Sequence, residues 1–368
     1  MTAIYRADTI GSPLRPTYLK EARQAWEAGV LPTPEFKRIE DRAVDEALAL
    51  QEAAGLDVVT DGEMRRDLFT GVLTEAIDGI APIPGVPVHW HGQTPQAEMD
   101  FQLPFCITGT IRRRRSLATE EFAYARGKAR KPFKIALPSP MLLTLFWPPE
   151  RSPAAYRDPF ALFADAVDLL RQDVRELASL GCEYIQIDAP ELATLVDESI
   201  RRTVWQAIGI SPARMLSEGI EMLNAIADVP GIVFGLHMCR GNNQGRWLSQ
   251  GGYEAISKQV FQRARHYDVF LLEHDNWRSG SFEPLADVPQ DKRVVLGLVS
   301  TKTNRVEPAE GIVARIEEAS RYFPGEQLAL STQCGFASWL FMGNPIAETT
   351  QEAKLRLVAD VAHRVWAP

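Results

Sequence analysis

"PFALFADAVDLLRQDVRELASLG" (residues 159–181) runs almost directly into "EYIQIDAP" (183–190), and the reading of this junction decides the fold. Phe160, Phe163, Val167, Leu170, Val174 and Leu177 recur every three or four positions, which is one face of a helix. Gly181 stands where a helix C-cap is expected. The run that follows is short, apolar and β-branched, and it stops on Asp188. A helix feeding such a strand is half of a β/α repeat.

The same unit recurs along the chain. Further strand-like runs are "IYRADTIGS" (4–12), "LDVVTDGE" (56–63), "FKIALPSP" (133–140), "IVFGLHMC" (232–239), "DVFLLEHD" (268–275), "RVVLGLVS" (293–300) and "LALSTQCG" (328–335). Amphipathic stretches such as "EDRAVDEALALQEAAG" and "EGIVARIEEASRYFPG" separate them. Strands lacking strict alternation and divided by helices imply a buried parallel sheet. Eight units predict an α/β fold, one (β/α)8 TIM barrel spanning residues 1–368. The Pro- and Gly-rich stretch 81–131 breaks the rhythm and predicts a hairpin-like insertion between strands two and three. Residues 145–159 predict a loop after strand three, with Trp147 placed either to pack or to stack on a flat ligand.

Six of the eight runs end on a group that a core strand does not need: Ser12, Asp61–Glu63, Asp188, His237–Cys239, Glu273 and Cys334. Barrel enzymes do their chemistry at those C-terminal strand ends. His237 and Cys239, two positions apart, share one face of a strand. Glu273 ends the next run and Cys334 the last, so His, Cys, Glu and Cys together offer a zinc-type donor set. His89–Trp90–His91 has the same spacing, but no Cys or acid lies close to it in sequence. His274, beside Glu273, is expected to point away from such a centre.

Composition narrows the class. The 368 residues carry a net charge of −8, with 45% hydrophobic and 24% charged residues, and the pI is near 5.4. No global basic field invites nucleic acid. The basic block Arg112–Arg115 reads as a surface turn or as a contact for an anionic substrate. Four widely spaced cysteines make no disulfide framework. No secretory pattern opens the chain, and no apolar run approaches the ~20 residues of a membrane span. The expectation is a cytoplasmic, reduced, soluble protein whose oligomeric state stays open.

The motifs "DTIGSPLRP" (8–16), "GLDVVTDGEMRRDLF" (55–69), "ALPSP" (136–140), "IQIDAPEL" (185–192), "HMC" (237–239), "LLEHD" (271–275) and "STQCGF" (331–336) occur in one order. In that order the chain resembles the catalytic domain of cobalamin-independent methionine synthase and the zinc-dependent thiol alkyltransferases around it. The resemblance implies one Zn2+ on His237, Cys239, Glu273 and Cys334, and no cobalamin. It also implies a homocysteine-like thiol held by Ile10, Gly11, Ser12, Glu63 and Asp188. The methyl or alkyl donor is left open, methyltetrahydrofolate being one. An α-ammonium needs carboxylates, which agrees with Glu63 and Asp188.

Two departures limit that reading. Lys302 stands where the family has a proton-transferring histidine, and Ala189 replaces the acid of the family's "IDEP". Lys302 and Asp188 are therefore the expected catalytic groups, with Lys302 protonating a leaving atom or neutralising an anionic substrate. Arg240, next to Cys239, is expected at the substrate. The same zinc chemistry on another thiol or electrophile, as in epoxyalkane:coenzyme M transferases, stays open. So do a metal-free barrel resembling uroporphyrinogen decarboxylase and a non-catalytic zinc-binding protein.

Overall fold

A computed structural model describes residues 5–341 and 343–367. Ten strands are present among them: β1 (Ile77–Ala81), β2 (Pro87–Trp90), β3 (Met99–Gln102), β4 (Cys106–Arg113), β5 (Ile135–Pro138), β6 (Tyr184–Asp188), β7 (Val233–Met238), β8 (Val269–Glu273), β9 (Arg293–Val299) and β10 (Leu328–Thr332). The last six form one parallel sheet in sequence order, β5 to β10. Two short segments complete the ring. Ala7 bridges Leu330 of β10 in parallel, Asp57 N donates to Ala7 O, and Val59 bridges Phe133 beside β5. The result is a (β/α)8 barrel.

The first two predicted strands, 4–12 and 56–63, are therefore single bridges and not ladders; Ile4 lies outside the described residues. A side chain takes the place of the missing ladder: Asp57 Oδ2 accepts from the backbone N–H of Arg6 and Ala7 at 2.9 and 3.0 Å. Both segments then turn away early, since Gly11, Gly62 and Glu63 all adopt positive φ.

The helix read over 159–181 spans Pro159–Ser179. Asp158 caps it by accepting from Phe160 N at 3.0 Å, and Gly181 follows at φ 80°. All six periodic apolar residues are buried. Each such burial stabilises by about 1.5–3 kcal/mol, and Leu170→Ala would forfeit about 2–5 kcal/mol.

Residues 77–113 form two antiparallel ribbons, β1 with β4 and β2 with β3, followed by a helix at Leu117–Arg126. Alternation along β2 sends Val88 and Trp90 to the mouth of the barrel and His89 to the other face. The block Arg112–Arg115 lies at the end of β4. Its Arg113 pairs with Asp173 and Glu176, Arg114 with Asp78, and Arg115 with Glu120. Among the described residues no helix is long and apolar enough to cross a membrane.

Candidate metal centre and substrate cavity

The β6–β7 register sets Asp188 directly opposite His237. Asp188 Oδ1 lies 2.7 Å from His237 Nδ1 and also accepts from Gln186 Nε2 at 2.6 Å. This pairing orients the imidazole and leaves Nε2, which is buried without a hydrogen bond, facing the sulfurs. Donor atoms of His237, Cys239 and Cys334 all lie within 4.8 Å of one another, and the two sulfurs are 3.5 Å apart.

Electrostatics divides the two thiols. The Cys334 thiol donates to Cys239, and against the cost of burial this bond, with His237 nearby, holds Cys239 down to about 5. The bond to Cys239 and burial push Cys334 well up. Burial works against charging His237, yet the Cys239 sulfur and Asp188 outweigh it and raise the ring to about 10.

Glu273 ends β8 beside this cluster but is not one of the three converging donors. Its Oε2 accepts from Arg240 N at 2.7 Å. Its Oε1 makes no hydrogen bond and sits 3.6 Å from both Lys302 Nζ and Arg278 Nη2. Burial alone would raise this carboxyl, but Lys302, Arg278 and Arg240 together hold it below the usual carboxylate range. An open imidazole nitrogen, two sulfurs and an adjacent carboxylate oxygen match the donors that a borderline divalent ion takes. The residues present fit a metal.

Above the cluster opens a cavity of about 140 Å³ lined by Ile10, Gly11, Ser12, Glu63 and Asp188 as well as the three donors. Gly11 holds φ +59°, and a Cβ on Gly335 would meet Ser12 N at 2.6 Å. Only glycines allow the loop after Cys334 to rest on the Ile10–Ser12 segment. Ser12 donates its hydroxyl to Glu63. Glu63 itself adopts φ 53°, a left-handed conformation uncommon for a side-chain-bearing residue. Arg66 and Arg15 approach it at 3.8 and 4.0 Å. The remaining wall is largely apolar, from Val88, Trp90, Phe101, Phe146, Trp205 and Trp339.

Several expected residues sit elsewhere. Arg240 is fully buried outside the cavity lining, bonded to Gly251 O and Tyr253 Oη and stacked on the Tyr253 ring. It braces the loop after β7. Lys302 likewise lies behind Glu273 and not on the cavity wall. Trp147 is buried, with Nε1 donating to Tyr156 O at 3.0 Å, so it packs. His274 is buried between Tyr253 and Phe282, away from the sulfurs.

One residue escaped the sequence reading. Glu191 lines the cavity, is only 3% exposed, and neither carboxylate oxygen makes a hydrogen bond of ordinary geometry. Burial, aided by the Asp188 and Cys239 charges and opposed by the Ser139 hydroxyl, pushes it up to about 8. The signal was in "IDAPEL", where an acid returns two positions after Ala189.

Comparison with known proteins identifies the family. A family model described as "Cobalamin-independent synthase, Catalytic domain" matches residues 6–363. The uncharacterised protein YxjH of Bacillus subtilis (strain 168) is 34% identical, over 99% of this chain and 95% of that one. The 5-methyltetrahydropteroyltriglutamate–homocysteine methyltransferase of Rhodococcus jostii (strain RHA1) is 25% identical over 98% of this chain but only 43% of its own length. A B12-independent methionine synthase structure from Shewanella sp. W3-18-1 superposes with a TM-score of 0.75 at 20% identity, covering 99% and 98% of the two chains. This chain belongs to the cobalamin-independent methionine synthase family of methyltransferases, whose catalytic domain it matches over nearly its whole length.

Proposed function

We propose that the protein is a zinc-dependent S-methyltransferase that converts a homocysteine-like thiol to its methyl thioether in the reducing cytoplasm. One observation carries the reading: the convergence of His237, Cys239 and Cys334 on the floor of a cavity also lined by Ser12, Glu63 and Asp188. Zinc would be held by His237, Cys239 and Cys334 with Glu273 adjacent, and when bound it supplies the Lewis acidity that keeps a thiol ionised near neutral pH.

The chain's own residues do the rest. Asp188 holds His237 in one orientation and, with Glu63, offers carboxylate to the substrate's ammonium. Ser12 fixes the Glu63 carboxylate. The largely apolar wall lowers competition from water at the electrophilic carbon, where the substrate sulfur forms the new S–C bond as the bond from that carbon to the donor breaks and the donor leaves with the electron pair. Lys302 serves Glu273 by offsetting its charge in a buried place.

A second reading keeps the thiol chemistry and changes the electrophile. It is favoured by the cavity wall: among the described residues no Lys or Arg lines it to meet the glutamate tail of a folate. Transfer of ¹⁴C-methyl from methyltetrahydrofolate to homocysteine, assayed alongside metal content, decides between them. No transfer from any methyl donor, with thiol consumed on an epoxide, selects the second. A fully active protein without metal sinks both.

A further inference from the structure

His89–Trp90–His91 lacks an acid nearby in sequence, and folding supplies two. In the β2–β3 register Asp100 stands opposite His89, and its Oδ1 lies 2.8 Å from His89 Nδ1. Nε2 of the same ring faces Glu98 Oε2 at 3.5 Å. The His91 ring stands edge-on to His89, with centroids 5.1 Å apart. One nitrogen from each imidazole and one Glu98 oxygen all lie within 4.8 Å of one another.

Both ring nitrogens of His89 thus face carboxylates. A neutral His89 that donates Nδ1–H to Asp100 must turn its Nε2 lone pair toward the Glu98 carboxylate. That arrangement is repulsive unless a proton or a metal ion stands between them, and the nearby His91 ring offers the second ligand that a metal ion would use. A carboxylate on Nδ1 with an open Nε2 is also the geometry of Asp188 and His237 at the barrel floor, and it is how metal-ligating histidines are usually held.

The geometry points to a second metal site, formed by His89, His91 and Glu98 with Asp100 behind it, that takes a borderline divalent ion such as Zn2+. Two imidazoles and a carboxylate suit that class, and water completes the shell because the site is open to solvent. The ion would join the two arms of one ribbon: His89 lies on β2, His91 just beyond it, and Glu98 just before β3. His91 also exchanges backbone hydrogen bonds in both directions with Trp247, at 2.8 and 3.1 Å. The opposite face of this ribbon carries Val88, Trp90 and Phe101 over the cavity. Occupancy would therefore fasten the cavity roof to the loop that follows Cys239.

Co2+ and Zn2+ titration of the full-length protein tests this. Wild type should bind two equivalents, one with near-ultraviolet thiolate-to-cobalt bands and one without. A Cys239→Ser/Cys334→Ser variant should lose the thiolate bands and keep the other ion. His89→Gln and Glu98→Gln, both at exposed positions, should lose that second ion and keep the thiolate bands. A single equivalent in wild type, or unchanged stoichiometry in His89→Gln, overturns the proposal and leaves His89 with only its contacts to Asp100 and Glu98. Retention of every ion by the cysteine variant would instead refute the central centre.

Discussion

Asp188 and His237 face each other across neighbouring barrel strands, joined at 2.7 Å between Oδ1 and Nδ1. The contact does two jobs at once. It selects which ring nitrogen is left open, and it anchors a carboxylate that also reaches the cavity. Asp188→Asn keeps the shape but loses the charge and the fixed tautomer. Zinc affinity should fall about 10–100-fold, read by competition with a chromophoric chelator. The same affinity in the variant would show that Asp188 does not support the centre.

Lys302 is expected to act through Glu273. Removing one member of a buried ion pair costs about 3–5 kcal/mol, so Lys302→Met should lower the denaturation midpoint strongly. Lys302→Met/Glu273→Leu should recover part of that loss, the coupling expected of direct partners. A Lys302→Met protein of unchanged stability but depressed kcat would make Lys302 a proton donor instead.

Glu191 stands in the cavity at a cost to folding. Glu191→Met removes a buried carboxyl that has only the Ser139 hydroxyl to offset its burial and should stabilise the protein by about 1–3 kcal/mol, measured by urea unfolding. Turnover should fall in the same variant, as stability and activity often trade at such sites. Gains in both would mean that no ligand uses Glu191.

Asp67 supplies a pH signature remote from the sulfurs. Burial and the nearby Glu75 raise its carboxyl to about 6, with Arg23 and the Trp339 Nε1 bond opposing. The folded pKa lies above the unfolded value of ~3.9. Asp67's contribution is thus fully present below about pH 4 and is lost as pH rises through about 6. Asp67→Asn, which keeps an acceptor for Trp339, should raise stability at pH 7–8 by about 1–2 kcal/mol, discounted for partial exposure. It should change little at pH 4. An equal shift in Tm at both pH values would remove Asp67 as the cause.

Much of this was legible in the chain because barrel strands carry a one-dimensional code: an apolar run, then a polar end. Six runs became the six ladder strands, and His237, Cys239 and Cys334 converge as their strand-end positions require. The first two runs misled because Asp57 satisfies the backbone of Arg6 and Ala7 through a side chain, which periodicity does not register. Arg240 looked like a substrate contact from its neighbour Cys239, and Lys302 like a catalytic group from its place opposite the family's histidine. Their side chains turn behind the wall, a direction set by Tyr253 and Glu273 far along the chain. The acids around His89 were hidden for a related reason, since only the turn at Pro95–Ala97 folds Glu98 and Asp100 back.

The seat of the loop after Cys334 on Ile10–Ser12, close enough that Gly335 tolerates no side chain, has a consequence for biosynthesis. The thiol pair joins the loop after β7 to the loop after β10, so a growing chain possesses it only after residue 334 has been made. All six ladder strands and Cys239 precede that residue in the chain. If the proposed zinc is held there, its capture by both sulfurs would be a late event of maturation, and any agent that traps Cys239 earlier would block it.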